Sequence, residues 1–133
     1  MGNLRSIVQL FFPMVVVLTG CLSAPKFESL TPEPLWPRDG AAFDIFPRTT
    51  ELSWRDVPGA ASYSIQVDCF HCCDVGKWCT ELGKPLLEAK GLLEPQYSFV
   101  WVGANLGRWR VWAVAADGTA SKPTAWQEFL YTR

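Results

Sequence analysis

Residues 63–69 read Tyr-Ser-Ile-Gln-Val-Asp-Cys, with apolar and polar side chains alternating over seven positions. A period of two puts every second side chain on the same face of an extended chain. The stretch therefore predicts a strand with one face in a core and the other in water. The alternation returns in Thr50–Trp54, where Leu52 and Trp54 share a face, in Tyr97–Trp101 and in Trp109–Val114. Trp126–Tyr131 supplies a last strand.

Turn-forming clusters separate these runs: Pro37-Arg-Asp-Gly40, Val57-Pro-Gly-Ala60, Asp117-Gly118, and the segment from Gly103 to Gly107, which reads as a hairpin loop. Thr80 to Gly91 has the composition of a helical turn, but Gly83 and Pro85 break it. Strands at this spacing joined by Gly/Pro turns predict an all-β, antiparallel sandwich.

The N-terminus follows a different pattern. One cation, Arg5, precedes a twelve-residue apolar run from Ile7 to Leu18, interrupted by Gln9 and Pro13. A helix of that length is too short to cross a hydrocarbon core about 30 Å thick. Length and flanks fit the apolar part of a cleavable secretion signal. The run ends in Leu18-Thr19-Gly20-Cys21, which resembles the bacterial lipobox. That resemblance implies a signal peptide over 1–20, cleavage before Cys21, and a lipid on the Cys21 thiol. Several acyl chains on one cysteine anchor stably, at about 0.8 kcal/mol per buried methylene. Leu22, not aspartate, follows the cysteine, which implies the outer membrane if the host is Gram-negative. Residues 21–34 read as a tether and 35–133 as the domain.

Composition narrows the partners. The formal net charge is −1, and no basic stripe is present, which argues against nucleic acid. Seven Trp, eight Phe and three Tyr provide enough apolar area to build a core in a short chain.

Four cysteines fall within Cys69-Phe-His-Cys72-Cys73-Asp-Val-Gly-Lys-Trp-Cys79. In an exported chain disulfides form and persist, so two bridges among Cys69, Cys72, Cys73 and Cys79 are the expectation. Pairing the adjacent Cys72 and Cys73 would need a strained eight-membered ring. Of the other two connectivities we expect Cys69–Cys73 with Cys72–Cys79, which runs one cross-link into each end of the segment. A zinc site is the weaker alternative, because structural zinc joins separated ligand pairs and these ligands are adjacent. Cys69-Phe70-His71-Cys72 has the C-x-x-C spacing of redox sites, but no thioredoxin-like βαβ pattern surrounds it. His71, the single histidine, reads as a turn or surface residue.

The order of motifs across residues 35–133 resembles the fibronectin type III-like domains of bacterial envelope and extracellular proteins. Pro37 and Gly40 precede Leu52-x-Trp54; Val57-Pro-Gly-Ala-Ala and Tyr63-x-Ile-x-Val follow; Gly107-Arg-Trp-Arg-Val-Trp-Ala-Val, Asp117-Gly118, Ser121, Trp126 and Phe129 close the set. The resemblance implies an immunoglobulin-like antiparallel β-sandwich in which Trp54 packs between sheets with Tyr63 and Ile65. It implies Trp109, Val111 and Ala113 inward, and Arg110, Trp112 and Val114 outward. Two features depart from it. The tyrosine that usually starts the sixth strand is replaced at Gly107, and a cysteine-rich insertion follows the third strand.

No catalytic constellation is evident. The single histidine has no serine partner in a strand-turn-helix context, acidic residues are scattered, and no P-loop Lys-Ser follows Gly107. The chain reads as a non-catalytic protein without cofactor or bound metal. Its possible binding surface is the outward face carrying Arg110, Trp112, Gln66 and Asp68, with Trp78 nearby. An outward Trp beside Arg can anchor a protein partner or stack on a sugar. Against that stands a covered arrangement, with the cysteine-rich loop over Trp112 and Trp78 packed beside it; a separate reading pairs Arg110 with Asp68 as a plain cross-strand ion pair. Two functions follow: a lipid-anchored interaction or structural module that holds or recognises another envelope protein, or a glycan-binding module using surface tryptophans. A zinc or redox lipoprotein is a distant third.

Overall fold

The computed structural model describes Gly2, residues 12–20 and residues 23–133. Cys21 and residues 1 and 3–11 of the predicted signal segment lie outside the described residues. Among those described, no helix is long and apolar enough to cross a membrane.

Among the described residues eight strands form two sheets: β1 (Pro34–Trp36), β2 (Ala41–Phe43), β3 (Thr49–Trp54), β4 (Ala60–Cys69), β5 (Leu87–Leu92), β6 (Gln96–Val100), β7 (Leu106–Ala115) and β8 (Gln127–Tyr131). One sheet has the order β1-β3-β6 and the other β2-β8-β7-β4-β5. Neighbours are antiparallel except β2, which runs parallel to β8. All five strands predicted from alternation are present. β1, β2 and β5 were not predicted. The stretch before Thr49 contributes one short strand to each sheet, so the strand that precedes the cysteine-rich excursion is fourth in chain order, not third. Helical character in Thr80–Gly91 is confined to a 3₁₀ turn at Cys79–Leu82, closed by Gly83 at φ 118°, and β5 follows. The segment from Gly103 is not a hairpin loop. It carries the chain from β6 in one sheet to β7 in the other.

The inner faces interdigitate through aromatic rings. Trp54 meets Tyr63 edge-on at 5.5 Å and Trp109 at 6.3 Å, while Trp101 meets Phe129 at 4.9 Å. Such pairs contribute about 0.5–1.5 kcal/mol each beyond area burial. Trp109, Val111 and Ala113 are buried, as expected, and Arg110, Trp112 and Val114 are half-buried on the outer face. Thr50 and Tyr131 hydroxyls, 2.8 Å apart, tie β3 to β8 across the core. Trp101 Nε1 donates to the Asn105 carbonyl at 3.2 Å and fixes the crossover where Gly107 has no side chain to do so.

Tyr63 secures the β3–β4 turn. Its hydroxyl accepts the Val57 N–H at 2.9 Å and donates to Asp56 Oδ1 at 3.1 Å. Burial pushes the Tyr63 pKa up. The folded state thus holds the phenolic proton more tightly than the unfolded chain. The resulting stabilisation is present below the ordinary tyrosine pKa of about 10 and is lost as pH rises through the raised value. Tyr63→Phe should cost about 1–2 kcal/mol at neutral pH, since it orphans a buried N–H. It should also flatten the fall in melting temperature above about pH 10 relative to wild type. Parallel alkaline melts of the two proteins check this; equal slopes would contradict it.

The two ends of the sandwich differ. The lead-in packs at the end holding the β3–β4 turn. Phe27 lies against Gly59, the Glu33 carbonyl accepts the Arg55 N–H at 2.9 Å, and the Leu30 carbonyl accepts the Lys122 N–H at 2.9 Å. At the opposite end, which we term distal, lie the cysteine-rich excursion, the β2–β3 connection and the β6–β7 crossover.

Candidate binding surface

β4 and β7 are the two central long strands of the five-stranded sheet, and their register sets what stands on its outer face. Ser64 pairs with Trp112, Gln66 with Arg110, and Asp68 with Arg108. The expected ion pair between Arg110 and Asp68 is therefore not formed, because the two lie one pleat apart. Asp68 instead takes Arg108: Nη2 and Nε donate to Oδ2 at 3.0 and 3.2 Å. Thr80 Oγ1 donates to the same oxygen at 2.6 Å, and the Thr80 and Cys69 N–H groups donate to Oδ1 at 3.2 and 3.1 Å. Asp68 is completely buried although it points to the outer face. The excursion from Phe70 to Leu86 folds back over it.

That excursion is a small two-armed structure. Phe70 bridges Trp78 in antiparallel fashion, the His71 N–H donates to the Lys77 carbonyl at 3.0 Å, and the Phe70 N–H donates to the Leu106 carbonyl at 2.9 Å. His71 stands at φ 68° and accepts the Gly76 N–H on Nδ1 at 2.6 Å, so it is an exposed turn residue. The disulfides are Cys69–Cys72 and Cys73–Cys79, with Cα separations of 5.6 and 5.3 Å. The expected Cys69–Cys73 and Cys72–Cys79 pairing is not found. The left-handed turn at His71 brings Cys72 back to the strand end at Cys69, which leaves Cys73 to cross to the second arm. Closing two such short loops restricts the unfolded chain by an amount on the order of 2 kcal/mol each. Among the described residues no group of three or more His, Cys, Asp or Glu side chains is placed to hold a metal ion.

Trp78 does not pack beside Trp112. Its ring lies on the Arg108 guanidinium, 4.1 Å away, while Trp126 stacks on both Arg108 and Arg110 at 4.4 and 4.3 Å. A ladder results, Trp78–Arg108–Trp126–Arg110, each cation–π contact worth about 0.5–2 kcal/mol. Gln66 extends the row: its Oε1 accepts Arg110 Nε at 2.7 Å and its Nε2 donates to Glu88 Oε1 at 2.6 Å. Burial, and then repulsion from Arg108, pulls the Arg110 pKa down. Trp112 is not covered by the cysteine-rich loop. It lies four residues beyond Arg108 on the same face, roughly 13 Å along the strand, and stays half-exposed beside Pro123 and Ala120.

The structure thus brings Gln66, Asp68, Arg110 and Trp78 into one connected row and leaves Trp112 apart from its distal end. Arg108, Thr80, Trp126 and Glu88 belong to that row and were missed from sequence. Arg108 could have been found: it shares the parity of Arg110 on the same strand.

Compared by sequence, the chain matches no protein-family model. No curated protein is significantly similar to it.

Proposed function

We propose that the protein is a lipid-anchored, non-catalytic envelope protein whose fibronectin type III-like domain docks another envelope protein through its distal end. The observation that carries this reading is an apolar rim. Ile45, Phe46, Val100 and Val102 are 52, 68, 67 and 58% exposed. Val100 pairs with Thr49, and the Trp101 N–H donates to the Arg48 carbonyl at 2.9 Å, so the two segments lie side by side. Large apolar groups collected at one end are the mark of an interaction surface. The lead-in packs at the other end, so a lipid on Cys21 would hold the rim away from the membrane and free to meet a partner. The order β1-β3-β6 facing β2-β8-β7-β4-β5 supports the fibronectin-type reading, because that family also splits its strands between two such sheets.

The test has two parts. Cys21→Ser should abolish fatty-acid labelling and leave the precursor uncut. A photo-cross-linking residue at Phe46 or Val100 in living cells should then give one discrete adduct, and the same residue at Asp117, at the opposite end, should give none. Equal adducts from both ends would reject the distal-end reading.

A further inference from the structure

Between the outer face of β7 and the returning segment 119–125 lies an open cleft of about 220 Å3, lined by Arg110, Trp112, Ala120, Ser121 and Pro123. The Ser121 hydroxyl is engaged, accepting the Ala113 N–H at 2.8 Å. Trp112, Ala120 and Pro123 make the wall apolar, and Arg110 supplies its charge. Arg110 is also held ready. Nε is fixed by Gln66 and one face of the guanidinium by Trp126, while neither Nη group has a protein partner among the described residues. Asp68 neutralises the adjacent Arg108, but no carboxylate among the described residues lies within ion-pair distance of Arg110. A planar fork restrained on its back edge and one face is prepared for a carboxylate.

The cleft is smaller than ordinary ligand pockets of roughly 300–1,000 Å3, so it has room for about one ring. It is also open. Hydroxyl groups can remain in water while an apolar ring face lies on the indole. We propose that Arg110 and Trp112 bind one acidic sugar, a pyranose bearing a carboxylate. The carboxylate accepts hydrogen bonds from the Arg110 Nη groups, and the apolar face of the ring rests on Trp112. A neutral sugar offers the free guanidinium only uncharged hydroxyl acceptors, and a small carboxylate has no ring face to lay on the indole. This site goes beyond protein docking at the distal rim and does not depend on it.

Calorimetric titration of the full chain in detergent, at fixed low ionic strength, tests the assignment. The probes are sodium glucuronate, glucose, sodium acetate, and an acetylated Gly-Phe dipeptide that presents a carboxylate beside an apolar ring. Glucuronate should bind saturably, with glucose and acetate at least about tenfold weaker, the factor expected for one lost charge-assisted contact. Arg110→Lys keeps the charge without the fork and should weaken glucuronate about tenfold; Arg110→Gln should remove binding. Trp112→Leu should weaken binding while Arg110 stays in place, and carries the test if an Arg110 variant does not fold. Absence of saturable glucuronate binding would overturn the proposal. So would a dipeptide that binds as tightly as glucuronate, or wild-type affinity in Arg110→Gln.

Discussion

Asp68→Asn should lower the unfolding free energy by about 3–5 kcal/mol, the usual cost of removing one partner from a buried ion pair. The side chain is fully buried and accepts five hydrogen bonds, from Arg108, Thr80 and Cys69. Asparagine has nearly the same shape but no charge, and its NH2 group would face donors where the carboxylate oxygen now accepts. Arg108, only 18% exposed and held between two indole rings, cannot swing freely into water to find another counter-charge. Part of the cost should therefore come from Arg108 itself. Arg108→Met in the Asp68→Asn background should recover about 1–2 kcal/mol, because it removes the charge that the first change leaves buried without a partner. Urea unfolding of the four proteins measures the cycle. A loss below about 1 kcal/mol in the single variant would mean that the excursion, and not the ion pair, holds this end together.

The consequence is also local. Thr80 and Trp78 are attached to the sheet largely through Asp68 and Arg108, so the variant should loosen the excursion first. Amide exchange in residues 70–79 should rise, while amides of β3 and β6, which belong to the other sheet, should stay protected.

Long central strands were readable in the sequence and short edge strands were not. β4 and β7 are ten residues long, β4 alternates over Tyr63–Cys69, and the inward positions Trp109, Val111 and Ala113 of β7 could be assigned one by one. β1 and β2 are three residues long, and β5 is interrupted by Gly91, so none carries a usable period. The surface failed for a different reason. β4 and β7 are distant in sequence, so no tight turn fixes their register, and a shift of one pleat decides whether Asp68 meets Arg108 or Arg110. Alternation also marked Asp68 as facing water. It is buried because a separate segment folds over it, and alternation describes one strand at a time. Spacing alone likewise allowed both disulfide pairings; the positive φ at His71 selects between them.

Gly107→Ala should be the second severe substitution, and for a reason that also lies outside any single strand. Gly107 sits at an inward position of β7, opposite Phe129. A Cβ there would stand 2.5 Å from Phe129 Cζ and 2.7 Å from Trp101 Cζ2, well inside van der Waals contact. Its backbone is not in the left-handed region, so the demand for glycine comes from the two rings and not from φ. Both rings are at most 2% exposed and pack edge to face, which leaves them no room to yield. We expect a loss of about 3 kcal/mol, at the upper end of overpacking costs. Phe129→Leu removes the nearest atoms and, though harmful alone, should make the double variant less unstable than the sum of the two changes by about 1 kcal/mol. A neutral Gly107→Ala would show that Trp101 can repack. If it cannot, the displaced Trp101 should carry Val100 and Val102 with it, because these flank it on the same chain. Cross-linking from the distal rim should then fail although every rim residue is unchanged.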